Sequence, residues 1–175
     1  MKTRIAVILI CMMLGSAAYA APIPSTGTIE PFFSPNGGAT EAIVAEIGKA
    51  KSEVMIQAYS FTSKPIAKAL VGARKRGVRI EAVLDKSNDT AKYSAATFLA
   101  NAGIPVLIDS AHAIAHNKVI IIDRAILITG SFNFTNAAEE KNAENLLVIK
   151  GNKSLIEKYL QNFEAHKAHS TLYTR

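Results

Sequence analysis

Cysteine is almost missing from this chain: there is one, Cys11, in 175 residues. A lone thiol cannot staple a fold, so stability has to come from a packed core. Glycine and proline are also scarce, at 10 and 6 residues, and apolar types make up 49%. That balance excludes a collagen-like, low-complexity or disordered chain. Beyond residue 20 no apolar run is long enough to span a bilayer. No pair of carboxylates stands at metal-ligand spacing, and no internal repeat or linker breaks the sequence. The length fits one domain, and a chain of this size hides about 70% of the surface its unfolded form exposes. A net charge of +6 permits a polyanionic partner without demanding one.

The first twenty residues read as an export address. Lys2 and Arg4 give a short positive stretch, Ile5 to Leu14 is unbroken apolar, and Ala18-Tyr19-Ala20 fits a small-x-small cleavage site. Ten apolar residues are too few for a ~30 Å hydrocarbon core, which disfavours a membrane anchor. Removal of residues 1–20 takes two bases and no acid, leaving 18 basic against 14 acidic residues, a net +4. It also takes Cys11, which lacks the small preceding residue of a lipidated cysteine. The expectation is a signal peptide at 1–20, a single domain over 21–175, and a periplasmic or secreted product.

Strand and helix patterns alternate along the mature part. After a loose Pro/Ser-rich arm at 21–26, strands are predicted at 28–33, 53–59, 78–84, 106–109, 118–122, 125–129 and 145–149. Helices are predicted at 39–50, from Ser63 to Gly77, at 90–102 and at 154–166. Lys118–Ile122 and Ala125–Thr129 are apolar apart from Lys118 and Thr129 at their ends, as strands buried on both faces are. The pattern implies an α/β fold: a mixed, largely buried β-sheet sandwiched between helices.

Chemistry concentrates in Ala115–Phe134, AHNKVIIIDRAILITGSFNF. His116 and Lys118 are two apart at the mouth of a strand, so they share a face about 7 Å apart. Ser131 and Asn133 repeat that spacing where the next apolar strand ends, after Gly130, which lets the backbone approach whatever binds. If the strands are neighbours, the four polar side chains converge. Lysine brings a point charge, serine and asparagine bring hydrogen bonds, and histidine attacks or shuttles protons. An oxyanion suits the set, phosphate best, with lysine supplying the charge a metal supplies elsewhere.

The spacing His116-x-Lys118-x4-Asp123-x6-Gly130-Ser131-x-Asn133 resembles the signature of the phospholipase D superfamily, and most of all its small, exported, EDTA-resistant bacterial endonucleases. Ala58–Thr62, Gly103–Pro105 and Glu144-Asn145 extend the resemblance over essentially the whole mature chain. It implies that His116 is the nucleophile on phosphorus and that Lys118 and Asn133 hold the non-bridging oxygens. It further implies that Ser131 orients the site and that Glu144 hydrogen-bonds the imidazole. Asp123 matches the motif but sits at the far end of its strand, and is read as structural, like Gly130. Larger members carry two motifs in one chain. With one motif here, the expectation is a homodimer that pairs two copies of His116, one attacking and one protonating. Relatives tend to carry a tryptophan near the last helix; this chain has none, and Phe163 is expected to fill the space.

Other candidates read more plainly. His112 is taken as a loop residue near the mouth of the site; the metalloprotease pattern would need Glu where Ala113 stands. His166 and His169 sit at a helix end, where cations suit the dipole. No metal and no cofactor is expected. Arg74-Lys75-Arg76 and Arg79 read as a solvated helix end rather than a phosphate track. Tyr59 is assigned to the core, Phe61 is left open, and Phe132 and Phe134 are placed beneath the site.

The sequence therefore points to a metal-independent phosphodiesterase, first of all a sequence-nonspecific endonuclease on DNA, with RNA left open. A phospholipase D releasing lipid head groups is the alternative. A non-catalytic nucleic-acid-binding protein is the alternative of another class.

Overall fold

A computed structural model describes residues 21–91 and 94–174. The expected export segment, 1–20, lies outside the described residues. The elements run β1 (Thr28–Phe33), α1 (Ala39–Lys49), β2 (Glu53–Ala58), α2 (Lys64–Lys75), β3 (Arg79–Asp85), α3 (Ser87–Thr90) and α4 (Ala96–Asn101). There follow β4 (Val106–Asp109), β5 (Lys118–Ile122), β6 (Ile126–Gly130), α5 (Asn136–Glu140), β7 (Asn145–Lys150), α6 (Lys153–Ala168) and β8 (Thr171–Leu172).

The eight strands form one sheet in the order β1-β7-β6-β5-β2-β3-β4-β8. β2, β3 and β4 are parallel and linked by helices; the remaining neighbours are antiparallel. Side chains alternate across the pleat, so each central strand feeds two cores. Val54, Ile56, Ile80, Leu84, Ile120 and Ile122 pack with Ile43 and Ile47 of α1, Ile66 and Leu70 of α2 and Leu99 of α4. Met55, Val83, Val119, Ile121 and Leu127 turn to the other face, against Ile156, Leu160 and Phe163 of α6. This is the mixed sheet between helices that the alternating patterns predict, and Phe163 is fully buried.

One predicted helix is broken. In place of a single helix over 90–102 the chain forms α3 and α4, separated by an extended residue at Ala91. Hydrogen bonds from outside the helix decide this. The buried Asn88 amide donates to the carbonyls of Tyr59 and Asp85, Ser94 Oγ donates to Asn88 Oδ1, and Ala95 N donates to Phe61 O. Those donors and acceptors are lost to a continuous helix. The two-residue strand β8 carries too short a pattern to be read from sequence; it is held by pairing with β4.

Candidate active site

The site forms where β5 begins and β6 ends. β5 and β6 are antiparallel neighbours, Val119 opposite Thr129, so the two ends carrying polar residues coincide. His116, Lys118, Gly130, Ser131, Asn133 and Glu144 line one cleft of about 320 Å³. All six were singled out in the sequence. The loop leading into His116 is pinned on both sides: Ala115 N donates to the Asp85 carboxylate at 2.7 Å, and Tyr59 N donates to Asn117 O at 2.8 Å.

Lys118 Nζ lies 2.9 and 3.1 Å from the two ring nitrogens of His116 and donates to the His116 carbonyl at 3.0 Å. Burial lowers the Lys118 pKa, and the negative charge of Glu144 opposes that shift. The Tyr59 ring stands 4.5 Å from the imidazole, between centroids, and 5.3 Å from Lys118 Nζ. Tyr59 is therefore a half-buried wall of the site, whereas Phe61 is fully buried against Phe134. This differs from the core position that strand alternation predicts for Tyr59. Once the chain leaves β2 after Ala58, strand alternation no longer assigns faces. Phe132 and Phe134 are fully buried, as expected.

Ser131 is turned to the framework as well as to the cleft. Its hydroxyl accepts from Asn145 N at 3.0 Å and from Asn145 Nδ2 at 3.2 Å. Ser131 N and Phe132 N both donate to Asn145 O, so two residues oppose one and β6 bulges at its end. Gly130 makes this possible: its φ is +155°, and a Cβ would lie 2.2 Å from Asn145 O. The close approach is to the neighbouring strand rather than to a ligand. Asn133 Oδ1 is buried without a hydrogen-bond partner among the described residues, a polar group held in the cleft wall.

Glu144 lines the cleft, but its carboxylate accepts from Asn142 Nδ2 at 3.2 Å. Its backbone is tied to Ser34 in both directions. Within one chain the hydrogen-bond partner of the His116 ring is Lys118, not the expected Glu144. Asp123 is at the opposite end of β5. Its carboxylate accepts from Lys51 N, Ser52 N, Ser52 Oγ and Glu53 N. Burial pulls its pKa upward, but those donors outweigh burial and hold it at about 2. The structural reading of Asp123 agrees with this geometry. Arg79 also lies at that far end, paired with Glu53, which Arg124 holds from the other side. The basic cluster is thus no part of the cleft.

One arrangement escaped the sequence reading. Asp109 is fully buried at the end of β4, and His112, His166 and His169 all reach its Oδ2. The matched spacings Asp109-x2-His112 and His166-x2-His169 were the available signal.

A buried mixed sheet that gathers histidine, lysine, serine and asparagine at adjoining strand ends is built to hold a phosphodiester. Residues 43–167 match the model of the cardiolipin synthase, PLD-like domain, and the chain belongs to this phospholipase D-like family. It is a phosphodiesterase of that superfamily. A protein called Phospholipase D from Rickettsia typhi is 43% identical over 155 residues, covering 89% of this chain and 76% of the relative. Mitochondrial cardiolipin hydrolase from Xenopus laevis is 28% identical, over 82% of this chain and 72% of its own. Among solved structures, the phospholipase D family member Nuc from Salmonella typhimurium superposes with a TM-score of 0.81 and 41% identity, over 85% of this chain and 99% of Nuc. NucT from Helicobacter pylori gives 0.77 and 25%, over 83% and 99%.

Proposed function

We propose that this protein is an exported, metal-independent endonuclease that hydrolyses DNA with little sequence preference, with RNA open as a second substrate. The carrying observation is the convergence of His116, Lys118, Ser131, Asn133 and Glu144 on one cleft. Lys118 and the Asn133 amide bind the non-bridging oxygens, and a His116 ring nitrogen attacks phosphorus. A P–N bond forms, the P–O bond breaks, and the leaving oxygen takes a proton from a second imidazole. Water then loses a proton to that imidazole and attacks phosphorus. The P–N bond breaks and His116 is restored. Such a cleft reads phosphate and not base, which makes for slight sequence preference.

One chain contributes one imidazole, so the second comes from a two-fold copy. Three features favour a self-complementary contact beside the cleft. Phe33 is 66% exposed on the strand position opposite Asn145, and Ile114 is 57% exposed two residues before His116. Glu144 faces the cleft without bonding its own His116, and in a two-fold dimer it holds the ring of His116 of the partner subunit.

The rival substrate is a phospholipid, favoured by the rickettsial relatives that carry the name Phospholipase D. No helix among the described residues is long and apolar enough to cross a membrane. Plasmid DNA and phosphatidylcholine vesicles, each offered in excess EDTA beside His116→Ala, separate the readings. Chelator-resistant nicking of DNA that disappears in the variant supports the endonuclease. Head-group release without DNA cleavage supports the lipase, and DNA binding without turnover of either substrate leaves a binding protein.

A further inference from the structure

We propose that Asp109, His112, His166 and His169 form a structural site for a borderline divalent transition-metal ion, with zinc the best fit. One potential ligand atom from each lies within 4.8 Å of all the others. The distances from Asp109 Oδ2 are 2.6 Å to His166 Nδ1, 3.1 Å to His112 Nδ1 and 3.3 Å to His169 Nε2. Tetrahedral ligands at zinc bond lengths stand about 3.4 Å from one another, inside the 2.6–4.8 Å range over which these atoms are spread. Three imidazoles and one carboxylate are a zinc-type donor set, and without thiolate they do not select a soft ion.

Charge supports the same conclusion. One imidazolium balances the Asp109 carboxylate. A second or third would face a like charge, because the three rings lie 4.8, 5.1 and 5.4 Å apart between centroids. Neutral rings turning lone pairs toward a shared cation satisfy the same convergence without repulsion. The surroundings are those of a ligand set. Asp109 is wholly buried, and its Oδ1 accepts Ala111 N at 3.1 Å, which fixes the carboxylate from behind. His112 and His169 have side chains 47% and 37% exposed, giving an ion a way in from solvent.

Four protein ligands fill a tetrahedron, which is the pattern of a structural site, with no position left for substrate. The ion would tie the end of β4 to the last turn of α6 and to the loop that carries His112. That loop continues to His116, and Asp85 holds it at Ala115. The site therefore steadies the segment that presents the nucleophile and takes no part at phosphorus.

The test uses the purified full chain, stripped with EDTA, desalted and titrated with Zn²⁺ alone. The expected result is about one equivalent bound per chain, a rise in melting midpoint on the order of 5 °C, and the intense visible absorption of tetrahedral Co²⁺ on substitution. The His112→Ala/His169→Ala double variant should lose all three responses while its far-UV circular dichroism is unchanged. His116→Ala should keep all three, which separates this site from the catalytic imidazole. Substoichiometric binding, binding that survives the double variant, or binding lost with His116 overturns the proposal. So does a melting midpoint that ignores zinc yet climbs as acid protonates the histidines, which would make the cluster a plain histidine–carboxylate ion cluster.

Discussion

His116, Lys118 and Asp123 share one motif and do different work. The Lys118 ammonium reaches both nitrogens of His116, while Asp123 spends four acceptor contacts on the backbone and hydroxyl at Lys51–Glu53. Replacement of His116 by Ala should lower phosphodiester turnover by about 10³-fold or more with the melting midpoint nearly unchanged, measured by initial rates and thermal melts. Asp123→Ala should do the reverse: kcat close to wild type, and stability down by about 1–2 kcal/mol, discounted for partial exposure, in urea melts. The Asp123 pKa is depressed in the fold. Its contribution is therefore complete above the unfolded value near 4 and is lost as pH falls through about 2. Melts of wild type and Asp123→Ala should converge across that window.

The end of β6 shows how an element makes a site. Gly130 adopts φ +155°, and β6 bulges so that Ser131 and Phe132 both donate to Asn145 O. Addition of a methyl group at Gly130 puts a carbon 2.2 Å from that carbonyl and forces the two strands apart. Gly130→Ala should destabilise by about 2–4 kcal/mol and lower kcat through misplacement of Ser131 and Asn133. Urea melts and steady-state kinetics read both effects, and a variant with wild-type stability would contradict the assignment. The loop between β4 and β5 is a second such element. Asp85 and Asp109, at the ends of two parallel strands, both hold it. Burial alone would raise the Asp109 carboxyl, but hydrogen bonds from His166, His112, His169 and the Ala111 N–H hold it far below the usual carboxylate range.

Taken as one body, the described chain places a single imidazole, that of His116, in the cleft, and the proposed mechanism needs two. Activity per chain should therefore fall on dilution through a dimer dissociation constant, with sedimentation velocity following the same midpoint. Phe33→Asp should shift the species toward monomer and lower activity by about 10-fold or more at assay concentrations, while the circular dichroism stays that of the folded chain. A monomer with full specific activity would end the two-fold reading.

The cleft is legible in the sequence because strand alternation and the His116-to-Asn133 spacing are local properties of the chain. Two residues apart on a strand means one face, and the apolar runs of β5 and β6 fix which ends stay polar. The layered α/β class followed from the same periodicities. What lay beyond the sequence depends on contacts between distant segments. His166 meets Asp109 across 57 positions, and α6 has to pack on the sheet before the two can touch. Tyr59 lines the cleft instead of the core because the chain has already left β2, where the period of two no longer holds. Helix 90–102 breaks because Asn88, Ser94 and Ala95 satisfy partners outside it. The sequence alone determined which polar residues meet at the cleft, since motif and period act over a few residues. Which residues hold those in place was settled by packing, since a buried polar group takes whatever partner the fold brings to it.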